Sequence, residues 1–153
     1  RWTVTPVGGI DKLPTFVALL GSSDLDIAVL MDGASGGNQR LTQLVNRGLL
    51  DAKRLIPITD ITESNEADLE DLFDVDWYLK LLDKSGVGKL TASKLKGGGR
   101  IVKRVEAVLG SPFDHYQPAS WLLRNSTDTT DALSEDAKAR FQKLIDRLNE
   151  LLP

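Results

Sequence analysis

The sequence predicts an α/β fold that becomes helical in its second half, and three observations lead to this expectation. First, segments with the composition of strands alternate with segments of helical spacing, which is the order found in α/β layer folds. Second, residues 25–32 (LDIAVLMD) form a nearly continuous apolar run, as expected for a strand covered on both faces in a parallel sheet. Third, the spacing of apolar residues is helical beyond residue 68.

The first part of the chain supplies the strands of this fold. Strands are expected at residues 2–7, 25–32 and 53–58, and helices at residues 11–20 and 38–46. Gly8 and Gly9 break the first strand, and Gly48 ends the second helix. Pro14 is tolerated in the first turn of a helix, whereas Pro57 places the third strand near a sheet edge.

The second part is expected to be helical. Helices are predicted at residues 68–73, 75–84 and 100–109, in part of residues 111–125, and from the N-cap Ser134 to Leu151. The segments 86–99 and 125–131 between them are predicted to be mobile loops. Trp77, Tyr78 and Trp121 are expected in the core rather than on a surface that stacks on bases.

Length and composition restrict the class of protein. A chain of 153 residues fits one domain with a real core, and the absence of cysteine excludes disulfides and thiolate chemistry. No apolar run approaches the roughly 20 residues of a membrane-spanning helix, and no signal peptide is visible. A reducing, cytoplasmic location is therefore expected. Because the sequence begins without Met and inside a predicted strand, we expect a piece of a longer protein.

The charges are strongly polarised along the chain, although the net charge is only −3. Residues 60–76 contain eight acidic residues and no basic one, whereas residues 84–104 contain seven basic residues and no acidic one. Such runs are often only solvated faces. The alternative is a carboxylate cluster for a cation beside a basic segment for a phosphate backbone. The DNA-binding side chains would then be Lys89, Lys94, Lys96, Arg100 and Arg104.

Asp32 is the first candidate for such a carboxylate cluster. It ends a predicted strand, and in open α/β sheets functional residues gather at the carboxyl ends of strands. The glycines that follow, Gly33, Gly36 and Gly37, would let a phosphate approach the backbone closely. An aspartate before a glycine turn is also common without any ligand, so a plain turn stays an alternative.

The acidic run supplies further candidates in residues 66–73 (EADLEDLF). In a helix, Asp68 and Asp71 share one face, and Glu66 and Glu70 share a neighbouring one. Clustered carboxylates repel each other unless a cation or solvent screens them, and Mg²⁺ takes oxygen ligands. The alternative is a solvated acidic turn of which only the apolar residues are packed.

Other chemistries have weaker support in the sequence. His115 is the only histidine, so a histidine-rich zinc site is excluded, and no cysteine could complete one. A Ser–His–Asp triad around His115 lacks a nucleophile elbow, and residues 85–91 (SGVGKLT) lack the full P-loop spacing. Residues 97–99 (GGG) could present backbone N–H groups to an anion, but such a run is more often a linker.

Several segments occur in an order typical of one family, namely VTPVGGIDKLPTFVALLG, DIAVLMDGASGG, EADLEDLFDVDWYLKLL, RIVKRVEAVLG, FDHYQPA and ARFQKLIDRLNELL. Nearly the whole chain resembles the C-terminal TOPRIM region of the OLD family (overcoming lysogenisation defect) of ATP-dependent nucleases. The resemblance implies a TOPRIM-like α/β core, with a small parallel sheet flanked by helices, at residues 1–84. It implies a basic loop and a C-terminal helical extension packed on that core at residues 85–153. It also implies DNA as the substrate, an N-terminal ATPase domain in the same parent chain, and a role in phage defence.

The same resemblance implies Mg²⁺ or Mn²⁺ as the cofactor of a two-metal cleavage. Asp32 matches the first Asp of the TOPRIM Asp-x-Asp motif. Asp68, Glu70 and Asp71 lie on the acidic stretch that supplies further metal ligands. Asp32 and Glu70 are the implied catalytic residues, together with Lys103 near the scissile phosphate.

Two departures from the family pattern limit what is implied. Ala34 stands at the second Asp of Asp-x-Asp, where Ser35 or a water could substitute. The TOPRIM glutamate that precedes the core has no counterpart, so we expect a partial metal site and little activity in isolation. Three interpretations stay open: a partial nuclease region, a TOPRIM-like module that binds DNA or nucleotide without cutting, and a structural or dimerising piece of a homo-oligomer.

Overall fold

Helices make up most of the regular structure in the part of the chain that is described. The computed structural model describes residues 2–23, 25–33, 39–125 and 133–152. Its α-helices are α1 (Leu13–Gly21), α2 (Gln39–Asn46), α3 (Ile58–Thr62), α4 (Val75–Lys84), α5 (Ile101–Leu109), α6 (Tyr116–Arg124) and α7 (Glu135–Asn149). Among these helices, none is long and apolar enough to cross a membrane.

Two short strands form a parallel sheet. Strand β1 is Val29–Met31 and strand β2 is Leu55–Pro57, and Leu30 of β1 lies opposite Ile56 of β2. Parallel strands need a long crossover connection, and the connection between these two strands contains helix α2. The predicted mixed α/β fold with a small parallel sheet and helices is thus confirmed.

The prediction of a first strand at residues 2–7 is wrong. These residues belong to no strand, and Val4 is 90% exposed. The segment is attached instead by Trp2, which packs against a core cluster and whose Nε1 donates to Asn149 Oδ1 at 3.3 Å. A β-branched sequence indicates a strand only where a neighbouring strand offers backbone partners.

The other two strands are shorter than predicted. Of residues 25–32 only Val29–Met31 form β1, and Leu30 is 40% exposed, so the expected cover on both faces is wrong at this residue. Strand β2 begins at Leu55, because residues 52–54 form a 3-10 turn whose N-cap is Asp51. Pro57 is its last residue, where a missing N–H interrupts the ladder least.

The helices other than α3 follow the predicted pattern closely, with one exception. Ser134 caps α7 as expected, since its Oγ accepts from Ala137 N at 3.0 Å. The exception is the predicted helix at residues 68–73, where only a 3-10 turn forms, at Leu69–Leu72. Phe73 and Asp74 have extended backbone, because Asp74 is the N-cap of α4, and the turn must therefore stop. Residues 68–72 are called the acidic turn below.

The predicted loop at residues 86–99 is partly anchored. It contains a 3-10 turn at residues 92–94, and the side chain of Leu95 is buried in a core cluster with α4 and α5. The second predicted loop, residues 125–131, lies outside the described residues apart from Asn125. The glycine turn predicted after Asp32 also lies outside them from Ala34 onward.

Three clusters of buried apolar side chains hold these elements together. One unites α1, β1 and α2, and a second unites β2, α3 and the acidic turn with α7. The third joins α4 to α5 and contains Trp77 and Tyr78, with Trp121 partly buried against it. The expected core positions of these three aromatic residues are confirmed.

The acidic turn is fixed on the side that faces α4 and α7. The Phe73 ring stacks on Trp77 with ring centroids 4.5 Å apart and meets the Phe141 ring edge-on at 5.0 Å. Arg140 of α7 donates from Nε to the carbonyl oxygen of Leu72 at 2.9 Å. The acidic side chains of the turn are therefore presented from a packed support.

Candidate functional site

The end of β1 is joined directly to the start of the acidic turn. Gly33 and Ala67 form an antiparallel bridge, with Gly33 N 2.8 Å from Ala67 O and Ala67 N 2.9 Å from Gly33 O. A Cβ atom on residue 33 would overlap the Thr59 side chain, so only glycine allows this approach. The bridge places Asp32 beside Asp68, the residues next to Gly33 and Ala67 along the chain.

The Asp32 side chain contacts the first residue of the 3-10 turn Leu69–Leu72. Its Oδ1 accepts a hydrogen bond from Leu69 N at 3.2 Å. Burial, and then the negative charge of Asp68, raise the pKa of Asp32, while the Leu69 N–H and the charges of Arg100 and His115 lower it. The carboxylate at the end of β1 is therefore part of one electrostatic group with the acidic turn.

Asp68 is the buried member of this group. The residue is only 2% exposed, and Arg100 Nε donates to its Oδ1 at 2.6 Å while Arg100 Nη2 contacts the same oxygen. The other oxygen, Oδ2, is buried without a hydrogen-bond partner. Buried carboxylate oxygens are normally satisfied, so this atom marks a position where water or a cation would be favoured. Arg100, which the sequence suggested as a DNA contact, lies against Asp68.

Asp71 is used differently from its neighbours. Its Oδ2 accepts from Asp68 N at 2.7 Å, as in a capping box, and its Oδ1 accepts from Ile101 N at 3.0 Å. Burial raises the pKa of Asp71, and these two backbone hydrogen bonds oppose the rise. Oδ2 thus closes the acidic turn on itself and Oδ1 holds it to the beginning of α5, which is a structural use of a residue predicted to be a metal ligand.

Glu70 is partly buried, with 23% of its side chain exposed. Burial is the main cause that raises its pKa, and the charges of Asp68 and Asp32 raise it further, while His115 lowers it. The carboxylates of Asp32 and Glu70 are therefore close enough for one charge to act on the other. Asp32, Asp68 and Glu70 thus act on one another as one electrostatic group.

The predicted basic residues are divided between two environments. Lys103 forms an ion pair with Glu106 at 2.9 Å on α5, and Arg104 Nη2 points to the carbonyl oxygen of Leu95 at 3.4 Å. Arg104 Nε is buried without a partner, so this side chain does not extend freely into solvent. In the loop at residues 86–99, called the basic loop below, the three lysines are all exposed: Lys89, Lys94 and Lys96.

Tyr78 adds a polar group that the sequence did not indicate as part of the site. Its hydroxyl is buried without a partner, and burial raises its pKa above the usual range. The charges of Glu70, Asp68 and Asp71 raise this pKa further. The hydroxyl is therefore neutral and lies on the α4 side of the carboxylates.

The three carboxylates do not form a complete cation site by themselves. In the described part of the chain, no three histidine or carboxylate groups are arranged to hold a metal ion. Mg²⁺, however, often keeps several waters and uses only one or two carboxylates together with substrate phosphates. Asp32 and Glu70, with the unpartnered Oδ2 of Asp68 beside them, fit that kind of incomplete site.

Sequence reasoning missed three groups around the carboxylates: Arg100 as the partner of Asp68, His115 beside Glu70, and the Tyr78 hydroxyl. The Arg100–Asp68 contact joins residues far apart in the chain, and no local spacing predicts it. Only the pair Lys103–Glu106 had a sequence signal, since residues three apart are neighbours on a helix. The other contacts are tertiary, since Arg100 precedes α5, His115 precedes α6 and Tyr78 lies on α4.

We expect Glu70→Gln to stabilise the chain at pH 7 in the absence of divalent cations. The folded pKa of Glu70 lies above its usual 4.5, so ionisation lowers stability as pH rises from about 4.5 through the folded pKa. Glutamine avoids this loss, and we expect a gain on the order of 0.5–2 kcal/mol at pH 7, vanishing near pH 4. Urea unfolding at both pH values measures the gain. Asp60→Asn, on an exposed residue of α3, is the control, and a loss of stability for Glu70→Gln at pH 7 would contradict the argument.

Comparisons with known protein families, with curated proteins and with solved structures find no match to this chain.

Proposed function

We propose that this chain is the partial TOPRIM catalytic region of an OLD-type ATP-dependent endonuclease that acts on DNA in the cytoplasm. In the full-length protein an ATPase domain would precede it, and cleavage would depend on Mg²⁺ or Mn²⁺. One observation carries the proposal: Asp32 at the carboxyl end of β1 lies in one electrostatic group with Glu70 and with Asp68, whose buried Oδ2 lacks a partner.

Asp32 and Glu70 would hold the cation, with Asp68 Oδ2 facing it or one of its waters. The chemistry that a divalent cation would supply there is activation of water and stabilisation of the leaving oxygen of the phosphodiester. Asp71 and Arg100 keep the acidic turn against α5, so that the carboxylates are already close together before DNA binds. Lys103, at the exposed side of α5, is available to a phosphate once it leaves Glu106.

A second candidate function is a TOPRIM-like module that binds DNA or nucleotide but does not cut. Ala34 in place of the second Asp of the motif favours it, because one ligand is then lost. The Arg100–Asp68 pair favours it as well, because the guanidinium already neutralises the most buried carboxylate. Mn²⁺-dependent plasmid cleavage by the full-length protein, lost in Asp32→Asn and kept in Asp60→Asn, separates the two functions.

The nuclease, and the second candidate where its ligand is DNA, require the basic loop to contact DNA. Replacing Lys89, Lys94 and Lys96 together by Ala in the full-length protein should weaken DNA binding to a similar extent on all sequences. Removing each phosphate-binding lysine should also reduce the slope of log K against log salt by about 0.9, because fewer counterions are released. Fluorescence anisotropy at several salt concentrations measures both quantities.

The matched control is Ala at three other exposed lysines, Lys12, Lys53 and Lys138, which lie outside the basic run. This variant loses the same charge, so only a local role of the basic loop predicts a difference between the two. If both triple variants have the same DNA affinity and the same salt slope, the basic run is only a solvated surface.

A further inference from the structure

His115 lies between two carboxylates that belong to different elements. Its Nδ1 is 3.4 Å from Oε1 of Glu70 in the acidic turn, and its Nε2 is 3.9 Å from Oε1 of Glu106 on α5. The imidazole also stacks on the Phe113 ring, with ring centroids 4.6 Å apart and an angle of 25° between the planes. Both ring nitrogens and one ring face therefore have defined neighbours.

The turn that carries His115 is itself attached to the rest of the protein. Asp114 Oδ1 accepts from Tyr116 N at 2.9 Å, and Gln117 Nε2 donates to the carbonyl oxygen of Ser85 at 2.6 Å. Glu106 is paired with Lys103 on α5. The turn that carries the ring is thus held to the end of α4 through Gln117 and Ser85, independently of Glu70.

The Glu70 carboxylate has both opposing and supporting neighbours. The negative charges of Asp68 and Asp32 disfavour its charged form, whereas its own backbone N–H and His115 favour that form. An N–H group of His115 that donates to the Glu70 carboxylate would offset this repulsion and fix the direction of the Glu70 side chain. Residues that hold a ligand in this way commonly change metal affinity by 10–100-fold when they are removed.

We propose that His115 is a positioning residue, which donates from Nδ1 to Glu70 and keeps its carboxylate directed toward Asp32 and Asp68. The proposal rests on the proposed function in one respect, that a divalent cation binds between these carboxylates. His115 itself acts through Glu70 and contacts neither the cation nor DNA.

The contact can be tested without any metal, because His115 is the only histidine of the chain. A long-range ¹H–¹⁵N NMR spectrum of the 153-residue chain therefore shows one imidazole. Glu70→Ala should shift both ring nitrogens, and Asp60→Ala should leave them in place. Unchanged nitrogen shifts in Glu70→Ala would overturn the proposal.

The consequence for cation binding is measured by titrating Mn²⁺ into the full-length protein and following water proton relaxation. His115→Ala should weaken Mn²⁺ binding by about 10-fold or more. His115→Asn, whose side-chain N–H can take the place of Nδ1–H, should recover most of the affinity. Tyr116→Ala removes a larger ring from the next residue, which is 72% exposed, and should have no effect.

The two measurements separate the positioning role from the proposed function. If wild-type protein binds Mn²⁺ and His115→Ala binds it equally well, the positioning role is overturned and the proposed function stands. If wild-type protein binds no Mn²⁺, the proposed function fails, and the NMR comparison alone decides whether His115 holds Glu70. Loss of affinity in His115→Ala without recovery in His115→Asn also contradicts the hydrogen-bond role.

Discussion

Replacing Asp32 by Asn in the full-length protein should lower Mn²⁺-dependent plasmid cleavage by about 10²–10³-fold, the loss expected when one group that stabilises the transition state is removed. The substitution keeps the size of the side chain and an oxygen that can accept from Leu69 N. It removes the negative charge at the end of β1, where the cation and the attacking water would be held. Cleavage should therefore fall much more than DNA affinity.

Asp60→Asn provides the control for this experiment, because it removes one charge from the same acidic run on an exposed residue of α3. Its cleavage rate should stay within about threefold of wild type, since an exposed charge acts only through screened electrostatics. Equal rates for wild type and Asp32→Asn would refute a catalytic role of Asp32. No cleavage by wild type at any Mn²⁺ concentration would favour the binding module.

The position of the acidic group at the strand end could be predicted from the sequence, but its internal arrangement could not. The apolar run before Asp32 and the density of carboxylates at residues 66–71 indicate which segments meet. The roles of Asp68 and Asp71 depend on how α5 packs on the turn, since Arg100 and Ile101 N are the groups that contact them. Sequence spacing carries no information about such long-range partners.

The secondary structure shows the same difference: elements with local signals were predicted well, and elements that depend on tertiary partners were not. Helices such as α4 and α7 were predicted almost to their ends, because caps and apolar spacing lie within the helix itself. The strand predicted at residues 2–7 failed, because a strand requires a partner that its own sequence does not supply. The helix predicted at residues 68–73 was wrong for a related reason. Asp74 is the N-cap of α4 and has extended backbone, so a helix before it cannot continue into α4.

Arg100→Gln should lower the free energy of unfolding at pH 7 by about 3 kcal/mol, near the lower end of the range for breaking a buried ion pair. Asp68 is 2% exposed, and the variant would leave its carboxylate without the guanidinium that contacts Oδ1. The side chain of Arg100 is itself 23% exposed, so water can enter and partly solvate the carboxylate, and a larger loss is not expected. Guanidinium chloride unfolding of the 153-residue chain measures the change.

Two further variants identify the cause of this loss. Arg100→Gln combined with Asp68→Asn should recover most of the stability, because no charge is then left buried without a partner. Arg124→Gln, which removes an arginine from the exposed side of α6, should change stability by less than about 0.5 kcal/mol. If Arg100 instead served mainly to contact DNA, Arg100→Gln would weaken DNA binding while the unfolding free energy stayed near that of wild type. The double variant would then be no more stable than Arg100→Gln alone.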